Sequence, residues 1–293
     1  MSKLVRAISD MGGVVISAID STDIVKRMEE IHKPSAVVSA ALGRMLTASQ
    51  LMASTLKSSQ DSITLRIKAD GPIGLITVAC DGEGHCKGYA ENNIVEIPLR
   101  SDGKLDVGTA VGKNGQLYVV KDIGMKDPYV GSIPLVSGEI AEDITAYYAY
   151  SEQIPTVCAL GVLVNPDLSI KRAGGYLLQL LPGATEEEIS MIENNIQNVK
   201  SITSFFEQNK TVYDVIDTVL DGFNPNILDE EEVSYKCDCT KERVEKALIS
   251  IGVKDLEMLR DEEDQIEMGC QYCDSKYYFT KRDLNRMIKS LKK

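Results

Sequence analysis

Four cysteines near the C-terminus carry the most legible chemistry in this chain. They form a CxC pair, Cys237-Asp238-Cys239, and after thirty intervening residues a CxxC pair, Cys270-Gln271-Tyr272-Cys273. Four thiolates suit the tetrahedral preference of Zn²⁺, and each short-spaced pair can offer two ligands from one tight turn. Gly269, just before Cys270, fits such a turn, and no histidine lies in the segment. The expected site is therefore all sulfur: one Zn²⁺ in the reduced state, held by Cys237, Cys239, Cys270 and Cys273. A purely structural knuckle uses the same ligands. So does a switch, because metal-held thiolates are the form that peroxide or hypochlorite-type oxidants attack, and a disulfide removes the ligands. Spacing alone leaves both open, although CxC is unusual among knuckles that commonly use CxxC.

Short elements must position these pairs. Thr240 is placed to cap a helix whose Val244, Ala247, Leu248 and Ile251 share a face, and Gly252 is placed to stop it. Leu256 and Leu259 continue into a second short helix, Gln265 to Met268 alternates like a strand, and Lys276 to Phe279 supplies its hairpin partner. Large apolar groups are few here, and structural zinc contributes about 10 to 16 kcal/mol in small finger peptides, so the fold of this segment should depend on metal.

The rest of the chain reads as an α+β protein. Leu4 to Ile8 and Val14 to Ala18 alternate as half-buried strands, and a helix follows with Ser21 or Thr22 at its cap. Ser35 to Leu56 is rich in Ala, Val, Leu and Met with few charges, which predicts a helix buried on most sides. Ile63, Leu65 and Ile67 alternate with polar residues, Gly71-Pro72 turns, and further strands are expected at Leu75 to Ala79, around Tyr118 and around Leu163. A mostly antiparallel sheet wrapped on helices accounts for this pattern. After Pro182 two amphipathic helices are expected. The first has a Thr185/Glu188 capping box and a stripe of Ile189, Ile192, Ile196, Val199 and Ile202; the second runs from Thr211 through Val212, Val215, Ile216, Val219 and Leu220. Asn224-Pro225 and the acidic run Asp229 to Glu232 read as an exposed connector. The expected domains are residues 1–181, an α+β core; 182–232, an amphipathic helical linker; and 233–293, a small Cys₄ zinc domain.

With 293 residues and a formal charge of −12, the chain has room for two domains and lacks the basic surplus of a protein built on nucleic-acid phosphates. The N-terminus, Met1 to Gly13, reads as lacking an apolar signal region, and no run is expected to approach the roughly 18 apolar residues of a membrane span. A cytoplasmic location, with no membrane partner, is expected. In a reducing compartment seven cysteines point to metal or redox chemistry and not to a disulfide scaffold.

Other signals have plainer readings. Gly108 to Lys113, GTAVGK, is one residue short of a phosphate loop and has Asn114 where Ser or Thr should sit, so no nucleotide is expected. Cys80, His85 and Cys86 offer three metal ligands, but the two cysteines straddle a turn and read better as core or strand-end residues. No nucleophile elbow supports a Ser, His and Asp arrangement, so no catalytic residue is assigned.

The CxC and CxxC pairs, preceded by Tyr235-Lys236, resemble the heat shock protein 33 family of redox-regulated chaperones. So do Ala69-Asp70-Gly71-Pro72, Ser151-Glu152-Gln153-Ile154-Pro155-Thr156, and Arg172-Ala173-Gly174-Gly175 running into Leu177-Leu178-Gln179. The resemblance spans nearly the whole chain in order. It implies an ATP-independent holdase, not an enzyme: zinc-bound and inactive when reduced, and binding unfolding client proteins once oxidation opens the linker and zinc domain. It further implies disulfides between neighbours, Cys237 with Cys239 and Cys270 with Cys273, and a homodimer on activation. Cys80, Cys86 and Cys158 have no place in the family motif. Two rivals stay open on the residues alone: a zinc-ribbon nucleic-acid module using the basic stripe Lys281, Arg282, Arg286, Lys289, Lys292 and Lys293, and a thiol-disulfide oxidoreductase using Cys270 and Cys273.

Overall fold

A computed structural model describes residues 2–199 and 201–292, and the chain divides into two compact units, Met1–Lys236 and Cys237–Lys293. In the first, strands β1 (Ser2–Ile8) and β2 (Val14–Asp20) lead into helices α1 (Thr22–His32) and α2 (Ala36–Ala53). Then come β3 (Ser62–Ala69), β4 (Leu75–Asp81), β5 (His85–Ala90), the short helix α3 (Val107–Val111), β6 (Gly115–Asp122) and β7 (Tyr129–Pro134). Helix α4 (Ala141–Tyr147), a single π-turn at Tyr148–Glu152, and strands β8 (Thr156–Val164) and β9 (Ile170–Leu180) follow. Helices α5 (Glu186–Asn198), α6 (Ile202–Glu207) and α7 (Val212–Val219) and strand β10 (Asn226–Tyr235) complete the unit.

The ten strands form one sheet in the order β7-β6-β3-β4-β5-β10-β1-β2-β9-β8. Every pairing is antiparallel except a two-residue parallel contact, Ser234 with His85 and Tyr235 with Cys86, between β10 and β5. Period-two alternation sends successive side chains to opposite faces. Leu4, Ile19 and Leu177 join the core around α2, whereas Val5, Ala7, Val14, Ile16, Ala18, Tyr176 and Leu178 point the other way. Helix α2 is buried nearly all round, and its one charged residue, Arg44, pairs with Glu139 at 2.7 Å. At 18 residues this helix is long and apolar enough to cross a membrane by length and composition, which corrects the reading that no run approaches that size. Its apolar side chains are spent on the fold: 89% of the 18-residue stretch is buried inside it.

Two further readings change. The Ile189-to-Ile202 stripe is not one helix, because α5 ends at Asn198 and α6 starts at Ile202, giving three helices in place of two. The acidic run Asp229 to Glu232 is not a connector but the middle of β10, paired along its length with β1. Its carboxylates stay largely in water while the backbone supplies the pairing, and Lys3–Glu230 (2.6 Å) and Arg6–Asp229 (3.0 Å) offset the charge across the two strands.

The second unit contains α8 (Lys241–Ser250), α9 (Val253–Glu262), a hairpin of β11 (Gln265–Gly269) and β12 (Lys276–Thr280), and α10 (Lys281–Leu291). Thr240 accepts from Arg243 N as the α8 cap, and Gly252 takes the positive φ of +93° that ends it. Leu248, Leu256, Ile266, Phe279, Leu284, Met287 and Ile288 form its small core. Helix α10 turns Leu284, Met287 and Ile288 inward at helical spacing, leaving Arg282, Arg286 and Lys289 on its exposed side.

Candidate metal centre

The CxC pair lies between the end of β10 and the start of α8, and the CxxC pair lies in the turn that joins β11 to β12. Cys270 N donates to Ser275 O at 3.0 Å, which closes that turn. Hairpin and helix cap together converge the four sulfurs: Sγ of Cys237, Cys239, Cys270 and Cys273 all lie within 4.8 Å of one another, each partly buried. The shortest separations run between the knuckles, 3.7 Å from Cys237 to Cys270 and 3.4 Å from Cys239 to Cys273. Metal–sulfur bonds of about 2.3 Å in a tetrahedron put ligand sulfurs about 3.8 Å apart, so the donor set fits a tetrahedral thiophilic ion after small adjustments.

The surroundings differ between the thiols. Burial works to raise Cys239, but hydrogen bonds from Tyr277 and Cys273 outweigh it and bring the thiol down to about 7. The Tyr277 hydroxyl lies 3.1 Å from Cys239 Sγ and 2.9 Å from Cys239 O, so its one proton is shared between them. Burial pushes Cys237 and Cys270 upward. Such an outer donor orients a ligand sulfur. The role of Tyr277 follows from its place on β12 and has no signature in the sequence.

The other motif residues build scaffold. Asp70 accepts from Asn114 N at 3.1 Å and Asn114 Nδ2 at 2.6 Å, and Gly71 N donates to Val111 O, so this turn closes over the GTAVGK loop. Glu152 accepts from Lys121 Nζ at 2.6 Å and the Tyr147 hydroxyl at 2.5 Å. Burial opposes its ionisation, but those two donors hold its carboxyl below the ordinary value. Arg172 Nε donates to Phe206 O at 3.0 Å, and a Cβ on Gly174 would stand 2.4 Å from the Phe206 ring, so the Arg-Ala-Gly-Gly segment of β9 is the seat of α6. Cys80 and Cys86 are buried and face each other across β4 and β5, while Cys158 lies on β8 opposite Leu177.

The family profile described as Hsp33 protein matches residues 2–280, which takes in both cysteine pairs. The chain belongs to the heat shock protein 33 family. It is 46% identical over 292 residues to the 33 kDa chaperonin of Clostridium perfringens (strain SM101 / Type A), covering 99% of this chain and 92% of that protein. The 33 kDa chaperonin of Clostridium acetobutylicum is 45% identical over 290 residues, with 99% and 98% covered. In three dimensions the chain is similar to the crystal structure of the 33 kDa chaperonin (heat shock protein 33 homolog) of Thermotoga maritima, with a TM-score of 0.90, 35% identity and 98% of each chain covered. As the resemblance implied, this is a family of chaperones, and the mixed α+β fold and C-terminal cysteine cluster expected from the residues are both present in the chain.

Proposed function

We propose that this protein is a redox-regulated, ATP-independent holdase of the cytoplasm. In the reduced state Cys237, Cys239, Cys270 and Cys273 hold one Zn²⁺ and the chaperone rests; after oxidation it binds unfolding client proteins and prevents their aggregation. The observation that carries the proposal is the convergence of four sulfurs from two knuckles in a unit with a small apolar core. A bound zinc would keep all four sulfurs as thiolates and tie the CxC segment to the hairpin. In each oxidation two ligand thiolates, two protons from solvent and one hydrogen peroxide give one disulfide and two waters: the O–O bond breaks, the S–S bond forms, and two ligands are lost. The assigned bonds are Cys237 with Cys239 and Cys270 with Cys273.

Client binding is assigned to the sheet face under α5, α6 and α7. Ile192, Ile202, Phe205, Phe206, Val215, Ile216 and Val219 are buried there against β1, β2 and β9. At roughly 1.5 to 3 kcal/mol for each buried side chain, uncovering this face costs on the order of 10 to 20 kcal/mol. Structural zinc contributes about as much, so metal loss is large enough to bias such an equilibrium while the separate core around α2 stays intact. In the oxidised state residues 182–232, the acidic run of β10 included, then act as a linker between a chaperone core, 1–181, and a zinc domain, 233–293. Two uncovered faces offer each other the same apolar surface, which favours a homodimer in the active state.

The deciding experiment follows aggregation of a chemically denatured test protein with reduced and with peroxide-treated samples, zinc release being read in parallel. Suppression by the oxidised sample alone, matched by loss of one zinc per chain, is expected. Equal suppression by both samples, or oxidation without zinc release, would sink the switch.

A further inference from the structure

Cys80 and Cys86 are direct partners in the antiparallel register of β4 and β5, so their side chains leave the sheet on the same face. Directly opposed residues have Cα atoms about 4.5 to 5.5 Å apart, inside the range of about 4.4 to 6.8 Å that a disulfide spans. Both sulfurs meet one side chain, Gln50 of α2: Cys80 Sγ lies 3.4 Å from Gln50 Oε1, and Gln50 also hydrogen-bonds Cys86. Gln50 is itself 1% exposed and donates to Gly84 O in the connecting turn at 2.9 Å. The two thiols thus form a buried pair already held at bonding register.

In the closed fold they are protected. Cys80 is 1% exposed and Cys86 0%, and burial pushes Cys86 up to about 12 and Cys80 well above its ordinary value. Without thiolate and without access, neither attacks an oxidant. Their cover is slight on one side. Strand β5 is flanked by β10 through only two paired residues, with Ser234 N donating to Gly84 O at 3.0 Å and Lys236 N to Cys86 O at 2.9 Å. Val233 of β10 belongs to the same apolar cluster as Cys80 and Cys86, and Tyr235 bonds the Gly88 backbone through its hydroxyl. The next residue after Lys236 is Cys237.

We propose that Cys80 and Cys86 are a second redox pair, which closes to a disulfide when β10 leaves β5. Hydrogen peroxide is the oxidant: one thiolate attacks the O–O bond to give a sulfenic acid and release water, and the second displaces a further water to form the S–S bond. The gating by β10 rests on the redox reading above; the pairing of the two sulfurs stands on strand register alone.

The test uses the full-length protein before and after peroxide, denatured in iodoacetamide and cut with trypsin. Residues 69–87 form one peptide with no internal Lys or Arg and no other cysteine. In oxidised protein this peptide should carry no alkyl group and weigh two hydrogens less than the free dithiol, and while zinc is still bound at the same peroxide the bond should form at least about tenfold more slowly than after the C-terminal disulfides have closed. Cys80→Ser should leave Cys86 fully alkylated. If the C-terminal disulfides form and residues 80 and 86 remain alkylated, or carry separate sulfinic acids, the second pair is wrong and the switch survives. An equal rate in closed protein overturns the gating. If the C-terminal pairs never oxidise, the switch fails, and Tyr235→Ala, which loosens β10, decides the pair: a Cys80–Cys86 bond sustains it and two alkylated thiols overturn it.

Discussion

Two cysteines separated by one residue and two separated by two differ in the disulfides they can make. A CxxC turn reaches the disulfide range of about 4.4 to 6.8 Å easily, whereas the extended spacing in CxC is roughly 6.5 Å and its side chains must be turned toward each other. Cys270 and Cys273 should therefore join first, leaving an intermediate that has lost metal but keeps thiols at Cys237 and Cys239. Thiol trapping with peptide mapping shows the order, and a Cys237–Cys239 bond appearing first contradicts the strain difference. Glu152 supports a second expectation. Its folded carboxyl lies below the ordinary 4.5, so its stabilisation is present above that value and is lost as pH falls through the folded one. Glu152→Gln leaves Lys121 and Tyr147 without their anionic partner. It should cost the first unit about 1 to 3 kcal/mol at neutral pH and progressively less on acidification, measured by urea unfolding at a series of pH values. A deficit unchanged at low pH would show that the loss is steric.

Among the elements, α6 is the sensitive one. Glycines under it let its side chains touch the sheet backbone: added Cβ atoms at Gly161 and Gly174 would come within 2.7 Å of Ile202 and 2.4 Å of the Phe206 ring. Gly174→Ala must push Phe206 off β9 or shift the strand against Ile19 O, 2.5 Å away. Overpacking of this kind costs about 1 to 3 kcal/mol. If the helices cover the client face, Gly174→Ala should suppress aggregation partly without oxidant and speed proteolysis within residues 186–219. A variant as inert as the parent when reduced, despite faster proteolysis there, would place the client surface elsewhere.

The whole molecule has two units of unequal strength. The first unit buries two large clusters on opposite faces of a ten-stranded sheet, while the second has, among its described residues, seven buried apolar side chains and the cysteine centre. A chain segment that small rarely sustains a fold without a staple. Removing metal with a chelator under reducing conditions should therefore unfold residues 237–293 selectively, with the first unit keeping its cooperative thermal transition. Hydrogen exchange mapped by peptide reads both at once; protection retained in α8 and α10 after metal removal would show that apolar packing alone suffices there.

What the sequence determined by itself is local. The pairs Cys237/Cys239 and Cys270/Cys273 name a four-sulfur donor set because ligand type and spacing are covalent facts. Strands β1 to β4, helix α2 and the β11–β12 hairpin were legible because periods of two and 3.6 residues are written in consecutive side chains. Helix α10 was less legible because its narrow apolar side, Leu284, Met287 and Ile288, is interleaved with the basic residues Lys281, Arg282, Arg286 and Lys289, which fit an exposed basic stripe equally well. Tertiary structure alone decided the rest. Strand β10 looked like a linker because Asp229 to Glu232 face water, and its partner β1 is more than 200 residues away in the chain. The break between α5 and α6, the seat of Phe206 on Gly174 and the opposition of Cys80 to Cys86 likewise depend on register and packing. Backbone pairing and close packing act through space between distant segments, and no local pattern of side chains encodes which distant segment will be met.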